Sequence, residues 1–411
     1  MPVLRGMRVE PLVMGLLAAL VGFGSSFAVV LAGLRGVGAT PAEAAAGLTA
    51  ASLAMGVGGL ILAIATRLPI AVAWSTPGAA LLATSAVPPG GYAEAVGAFV
   101  AAGVLLTLAA LARPLGRAVA AIPLPIASAM LAGVLLPLAL APVRALGEDW
   151  RLGLPIVLAW LVAGRLHRLL AVPAALVAFV AVVLLGIDMP EGTASRLGAS
   201  LGLDLSLVRP VFRWESAIGL GVPLAVVTMA SQNIPGLAVQ RSLGYAPPVG
   251  LSLGTVGALS LASAPFGSPG INLAAITAAM CAGPEAGADP ARRYVAVVWN
   301  GLAYVALALV AGTAALFVSL APASLIEAVA GLALVGTFAA ASVAALSGED
   351  TRLAAAVTFL LAAGGISIGG VGGAFWGLLA GLAIHALDRA ARVDSPAPIP
   401  DRADPDEERE P

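Results

Sequence analysis

The chain has 411 residues, of which 60% are hydrophobic and 10% are charged, and its mean hydropathy is +1.01. A soluble domain of this length does not have that composition, and apolar runs of about 20 residues recur throughout, so the sequence predicts an all-α polytopic membrane protein. The net charge of −1 gives no information about nucleic acid, and the single cysteine, Cys281, excludes an internal disulfide. We expect no metal, no cofactor and no nucleic-acid partner.

The first half of the chain, residues 1–187, contains seven predicted membrane segments. Segment 3 is predicted to be broken into a short strand and a half-helix, because Pro-Gly interrupts its apolar run. The predicted bounds of segments 1–7 are 11–34, 42–65, 68–87, 92–112, 118–141, 152–166 and 171–187.

A long polar loop at 188–214 separates this half from residues 215–391, which again contain seven predicted segments. Segment 10 is predicted to be broken like segment 3, and the acidic tail at 392–411 to be disordered. The predicted bounds of segments 8–14 are 215–240, 247–261, 262–282, 294–318, 322–346, 351–365 and 369–390.

The arginines indicate the orientation. With the N-terminus inside, 15 arginines fall in internal loops or at the termini and 6 in external loops. This bias predicts that both termini are cytoplasmic and that 188–214 is external. Seven segments per half make the two halves an inverted repeat.

Two related motifs mark the broken segments: WSTPGAAL at 74–81 and FGSPGINL at 266–273. Thr76 and Ser268 are suitable N-cap residues, which would place Pro77 and Pro269 at the first helical position. Each motif then predicts a half-helix that begins near the middle of the membrane. The alternative is that each Pro-Gly only kinks an ordinary spanning helix.

Two half-helix N-termini that meet at the midplane favour an anion. Charged side chains are not expected in the middle of the spans, so recognition would depend on backbone N–H groups, hydroxyls, amides and the aromatic rings of the motifs. The candidate substrate-binding residues are Ser25, Ser26, Trp74, Thr76, Gly78, Gln232, Asn233, Phe266, Ser268, Gly270 and Asn272.

Alternative roles remain open for several candidates. Trp74 and Phe266 also fit core packing or lipid contact, and Gln232 and Asn233 also fit interhelical hydrogen bonds. Ser25 and Ser26 also fit close helix packing.

Several runs resemble the BenE family of benzoate:proton symporters. The runs are 73–82 (AWSTPGAALL), 229–236 (MASQNIPG), 274–279 (AAITAA), 330–334 (AGLAL) and 374–378 (AFWGL). The family is similar in fold to uracil permeases and sulfate-type anion transporters.

The resemblance implies proton-driven uptake of benzoate across the bacterial inner membrane by a homodimer in the lipid bilayer. It also implies a core domain of segments 1–4 and 8–11 and a gate domain of segments 5–7 and 12–14. The nucleobase relatives carry acids on segment 8 or 10, where this chain has Gln232, Asn233 and Asn272. Glu327 is the only acid that we expect inside a span, and this makes it the candidate proton carrier, although it also fits a hydrated carboxylate near a helix N-terminus. Alternatively, the substrate carries its own proton.

The sequence leaves competing functions open. An anion channel of the same architecture would conduct without uphill accumulation. A nucleobase symporter would be expected to have acids in the middle of its spans. An intramembrane enzyme would need a nucleophile–base pair, two acids or a metal cluster at membrane depth, and the sequence indicates none.

Overall fold

The structure is a computed structural model that describes residues 9–111, 122–166, 170–187, 189–190, 192–274, 276–368 and 371–393. Most of these residues are helical. Among them, eight helices are long and apolar enough to cross a membrane, by length and composition. This confirms the helical membrane class, whereas the count of fourteen segments stays a prediction. Residues 394–411 of the predicted disordered tail lie outside the described residues.

The elements up to residue 199 follow the predicted order. They are α1 (Val9–Gly36), α2 (Pro41–Thr66), β1 (Val72–Trp74), α3 (Thr76–Ala83), α4 (Tyr92–Leu111), α5 (Leu124–Ala139), α6 (Ala141–Glu148), α7 (Trp150–Leu166), α8 (Ala171–Gly186) and α9 (Thr193–Ala199). Helix α2 begins with a capping box in which Thr40 and Glu43 bind each other's backbone N–H.

The remaining elements begin at residue 214. They are α10 (Trp214–Ser242), α11 (Val249–Ser263), β2 (Ile271–Leu273), α12 (Ile276–Ala282), α13 (Tyr294–Ser319), α14 (Ala323–Leu346), α15 (Arg352–Ala363), β3 (Ser367–Ile368), β4 (Val371–Gly372) and α16 (Gly373–Val393). Helix α10 contains two π-helical turns, at Ala217–Gly221 and Met229–Asn233.

Two predicted loops contain helices. The charged stretch at 144–151 lies between predicted segments 5 and 6, but it contains the end of α6 and the start of α7. The stretch at 188–214 contains the short helix α9. In both places, a turn or two of amphipathic helix is too short and too polar to stand out in an apolar profile.

The helices pack in two groups. In the first group, α13 packs on α2 and α1, α11 on α4, and α3 on α1; in the second, α5 packs on α14, α15 and α16. The two groups meet mainly where α1 contacts α14 and α3 contacts α5.

Strands β1 and β2 pair with each other in antiparallel orientation. The register joins Val72 to Leu273, Ala73 to Asn272 and Trp74 to Ile271. All these residues except the half-buried Ala73 are buried. The pairing satisfies the facing edges of both strands without water, and side chains of Asn233 and Ser260 accept the outward N–H groups of Leu273 and Ile271. Internal partners of this kind are a condition for irregular backbone inside a membrane.

Candidate functional site

A small cavity lies beside the paired strands. Its volume is about 80 Å³, and it is enclosed by α1, α2, β1, α3, α10, α12 and α13. We call it the central cavity. Five of the eleven predicted binding residues line it: Ser25, Ser26, Trp74, Thr76 and Gln232.

The first predicted half-helix is present, but Ser75 rather than Thr76 caps it. Ser75 is fully buried, and its hydroxyl accepts the Gly78 N–H at 3.1 Å and lies 2.7 Å from Thr228 Oγ1 on α10. Thr76 is the first helical residue and lines the cavity. The N–H of Gly78 is therefore bonded to the cap residue of α3.

The second motif was interpreted wrongly. Ser268 does not cap a helix, because β2 follows the Pro-Gly pair and α12 begins only at Ile276. Instead, the Ser268 hydroxyl accepts the Gly270 N–H at 3.3 Å, in a turn where Gly270 has a φ of +108°. Phe266 ends a 3₁₀ turn after α11 and is not the counterpart of Trp74. The similarity of the two motifs is thus local, with strand and Pro-Gly in opposite order.

Trp74 is packed in the core and also lines the central cavity. Its side chain is 2% exposed, which excludes contact with lipid, and its ring lies 5.3 Å from that of Phe23. Its indole N–H donates to Ser26 Oγ at 2.7 Å, and Ser26 in turn donates to the Gly22 carbonyl at 2.9 Å. This chain of hydrogen bonds fixes the orientation of the indole at a residue that lines the central cavity.

The π-helical turn at Met229–Asn233 separates two neighbouring amides. Gln232 lines the central cavity, whereas Asn233 is fully buried and its Oδ1 accepts the Leu273 N–H of β2 at 2.8 Å. Asn272, on β2, is also fully buried, and its amide atoms have no hydrogen-bond partner among the described residues. Turns of this kind are often found at functional sites, and here the turn places Gln232 beside the cavity.

Thr277 and Tyr304 also line the cavity but were not predicted. The Thr277 hydroxyl is buried without a partner among the described residues, one residue into α12. Tyr304, on α13, is 1% exposed. A Cβ atom on Gly22 would clash with the Tyr304 hydroxyl and lie 3.2 Å from Thr277 Cγ2, so Gly22 keeps the cavity open. An unpaired hydroxyl at the second residue of a half-helix was the signal that sequence reasoning overlooked.

The carboxylates lie away from this cavity. Glu327, on α14, is exposed and lines a different cavity. Glu94 was overlooked: it is 1% exposed near the start of α4, where it accepts the Gly90 N–H at 2.7 Å and the Ser216 hydroxyl. The expectation that Glu327 is the only acid inside a span was therefore wrong. Glu94 has its donors in place and acts as a buried cap.

Known proteins resemble the chain over most of its length. The family model described as "BenE: Benzoate membrane transport protein" matches residues 6–387. The chain is 36% identical over 371 residues to the inner membrane protein YdcO of Escherichia coli (strain K12), covering 90% of this chain and 93% of that one. It is 31% identical over 344 residues to the benzoate membrane transport protein of Acinetobacter baylyi, covering 82% of this chain and 84% of that one.

Solved structures share the fold. SLC26A9 superposes with a TM-score of 0.62 at 14% identity, and the match covers 94% of this chain. This chain spans 66% of the length of SLC26A9, which is a little under two thirds. The transmembrane domain of the cyanobacterial bicarbonate transporter BicA superposes with a TM-score of 0.58 at 13% identity, and the match covers 93% of this chain and 98% of that chain. These similarities concern the fold alone, and they agree with the expected likeness to sulfate-type anion transporters.

The family match covers nearly all the described residues, and both curated relatives are membrane proteins of similar length. The protein is thus a membrane transporter rather than an enzyme, as the sequence indicated. The chain belongs to the BenE family of benzoate membrane transport proteins.

Proposed function

We propose that this protein is a secondary active transporter that imports benzoate, or a similar small aromatic carboxylate, together with protons. The observation that supports this function best is the central cavity. It lies beside the paired strands β1 and β2, and the side chains that line it are uncharged in the described part of the chain. Trp74 offers a ring face, while Thr76, Gln232 and Thr277 offer hydrogen-bond donors for a carboxylate.

The substrate contacts follow from that lining. The aromatic ring lies against Trp74, which the bond to Ser26 holds in place, and the carboxylate accepts from the Thr277 hydroxyl and the Gln232 amide. The start of α3 adds a positive helix-dipole end at Thr76. Among the predicted residues, Gly78, Asn233, Phe266, Ser268, Gly270 and Asn272 are then assigned to shaping the backbone around the cavity.

The mechanism we propose is alternating access. The first helix group (α1–α4 and α10–α13) is the core domain, and the second (α5–α8 and α14–α16) is the gate domain. Each domain contains segments from both halves of a seven-plus-seven inverted repeat. The central cavity, at about 80 Å³, is below the range of about 300–1,000 Å³ for ligand pockets. It must widen to admit the substrate, and movement of the core against the gate provides that room. The proposal includes a homodimer in the bacterial inner membrane with both termini in the cytoplasm.

Two proton routes are compatible with this mechanism. Glu327 is the candidate carrier from the sequence, but it is exposed and lies outside the central cavity. The second route needs no protein carrier, because a carboxylate substrate can enter with its own proton.

The test is uptake of labelled benzoate by proteoliposomes with an inward proton gradient, with and without a protonophore. Protein-free liposomes are the essential control, since benzoic acid crosses lipid unaided. We expect saturable accumulation above this control that is lost with the protonophore. Saturable exchange that ignores the gradient removes proton coupling, and conductance without accumulation identifies an anion channel instead. Absence of any protein-dependent flux overturns the benzoate assignment.

A further inference from the structure

A second, larger cavity lies between the two helix groups, away from the central cavity. Its volume is about 480 Å³, which falls in the range typical of ligand pockets. The ends of α1 and α3 form one side, and α5, α6, α14 and α15 form the other. We call it the vestibule. The distribution of arginines predicts that it opens to the external side.

Three charged side chains line the vestibule: Arg35, Arg144 and Glu327. Arg35 is half-buried, and the other two are exposed. None of the ion pairs within 4.0 Å among the described residues involves any of the three. The vestibule therefore holds one excess positive charge and two guanidinium groups whose donors are free to bind a carboxylate.

The vestibule borders a largely apolar recess of about 230 Å³. Thr84, Ala362 and Gly365 line both cavities and mark the junction. Beyond it, the recess is lined mainly by apolar side chains, including those of Leu81 and Val134, together with two serines, Ser85 and Ser216. A cationic mouth beside an apolar recess is complementary to a small molecule with one carboxylate and one aromatic ring.

We propose that the vestibule is a second binding site for the aromatic carboxylate, occupied on the way to the central cavity; this rests on the proposed function. The carboxylate binds Arg35 and Arg144, and the ring enters the recess past Thr84. Helix α3 connects the two sites, because Thr76 lines the central cavity and Thr84 the vestibule. Eight residues of helix separate them by about 12 Å.

Glu327 sets the strength of this site. Its carboxylate repels the substrate anion in the same cavity, so the two arginines hold the anion only weakly. A transit site has to release its ligand inward, and a weak site does so. Removing an arginine and removing Glu327 are therefore expected to change the affinity in opposite directions.

The first test measures KM for benzoate exchange in proteoliposomes at equal pH on both sides, which removes proton coupling from the readout. We expect Arg35→Gln and Arg144→Gln each to raise KM about three- to tenfold at low salt, with the maximal rate retained and the salt dependence reduced. Glu327→Gln should lower KM. Arg209→Gln is the matched control, because Arg209 is an exposed arginine on the external loop that does not line the vestibule.

The second test detects occupancy directly. Cys281 is the only cysteine of the chain and is fully buried, so a Thr84→Cys variant carries one accessible thiol. Benzoate should slow its alkylation by a neutral maleimide, whereas benzyl alcohol, which lacks the charge, should not. Arg35→Gln should raise the half-protecting concentration, while Gly22→Ala, which narrows the central cavity, should leave it unchanged.

The outcomes separate the two proposals. If the wild-type protein exchanges benzoate and both arginine variants have the same KM as Arg209→Gln, the vestibule site is overturned and the proposed function stays intact. Protection that follows Gly22→Ala and ignores Arg35→Gln also overturns it. Wild-type protein without exchange and without protection overturns both. Opposite KM shifts for the arginines and Glu327, with protection at Thr84→Cys, support the site.

Discussion

Gly22 offers the sharpest test of the central cavity, because one added methyl group would fill part of it. A Cβ atom at this position meets the Tyr304 hydroxyl and lies 3.2 Å from Thr277 Cγ2. Tyr304 is 1% exposed and borders the central cavity, so the free space beside its ring is the cavity itself. Gly22→Ala must therefore narrow the cavity or push α1 away from α13.

The size of the effect follows from the cost of overpacking. An extra methyl group in a tightly packed site costs about 1–3 kcal/mol. If the substrate bears that cost, its affinity falls about 5- to 150-fold. Gly24→Ala is the matched control: it lies two residues along the same helix, and its Cβ atom would meet only Leu176 Cδ2, at 3.9 Å. Both variants gain similar helix propensity, about 0.5–1 kcal/mol, so that term cancels between them.

The assay is benzoate exchange at equal pH, combined with thermal unfolding in detergent to confirm that both variants are folded. We expect a raised KM for Gly22→Ala and a wild-type KM for Gly24→Ala. A folded Gly22→Ala protein with wild-type KM would refute the placement of the substrate beside Gly22 and Tyr304.

Three further predictions concern single side chains. Ser75→Ala removes the cap of α3 and leaves the Thr228 hydroxyl unpaired, so we expect the free energy of unfolding in mixed micelles to fall by about 2–4 kcal/mol. A second change, Thr228→Val, should recover part of this loss. Full stability of the Ser75→Ala variant contradicts the prediction. Asn233→Ala leaves the Leu273 N–H unpaired and should cost about 1–3 kcal/mol of stability with little change in KM, whereas a raised KM at full stability would return Asn233 to the binding site. If Glu327 carries the proton, Glu327→Gln abolishes pH-driven accumulation but keeps exchange, and unchanged accumulation excludes that role.

The sequence was informative where local chemistry decides structure. Apolar runs identify the spanning helices, because in lipid each backbone must satisfy its own hydrogen bonds. The aromatic-hydroxyl-Pro-Gly motif identified the start of α3, although it placed the cap at Thr76 instead of Ser75. Cap identity depends on which hydroxyl meets the Gly78 N–H and Thr228, and only the packed structure decides that.

Features that depend on contacts between residues far apart in the chain could not be predicted from the sequence. The second Pro-Gly pair looked like a copy of the first, but the strand that pairs with β1 lies after it. Ser268 therefore does not cap a helix, and Phe266 is not equivalent to Trp74. The vestibule was missed for a similar reason. Arg35, Arg144 and Glu327 lie more than 100 residues apart in the chain, and each was interpreted alone.

The pairing of β1 with β2 also determines when this protein can complete its fold during synthesis. Val72 pairs with Leu273, so the N–H and C=O groups of β1 that face β2 have no β2 partner until about 200 further residues have been synthesised. At about 5–20 residues per second, that is roughly 10–40 s. Throughout this interval an unpaired strand edge at membrane depth needs a temporary partner, such as water or the insertion machinery. The first half of the chain therefore reaches the bilayer before it can be stable there, and its final structure depends on the second half.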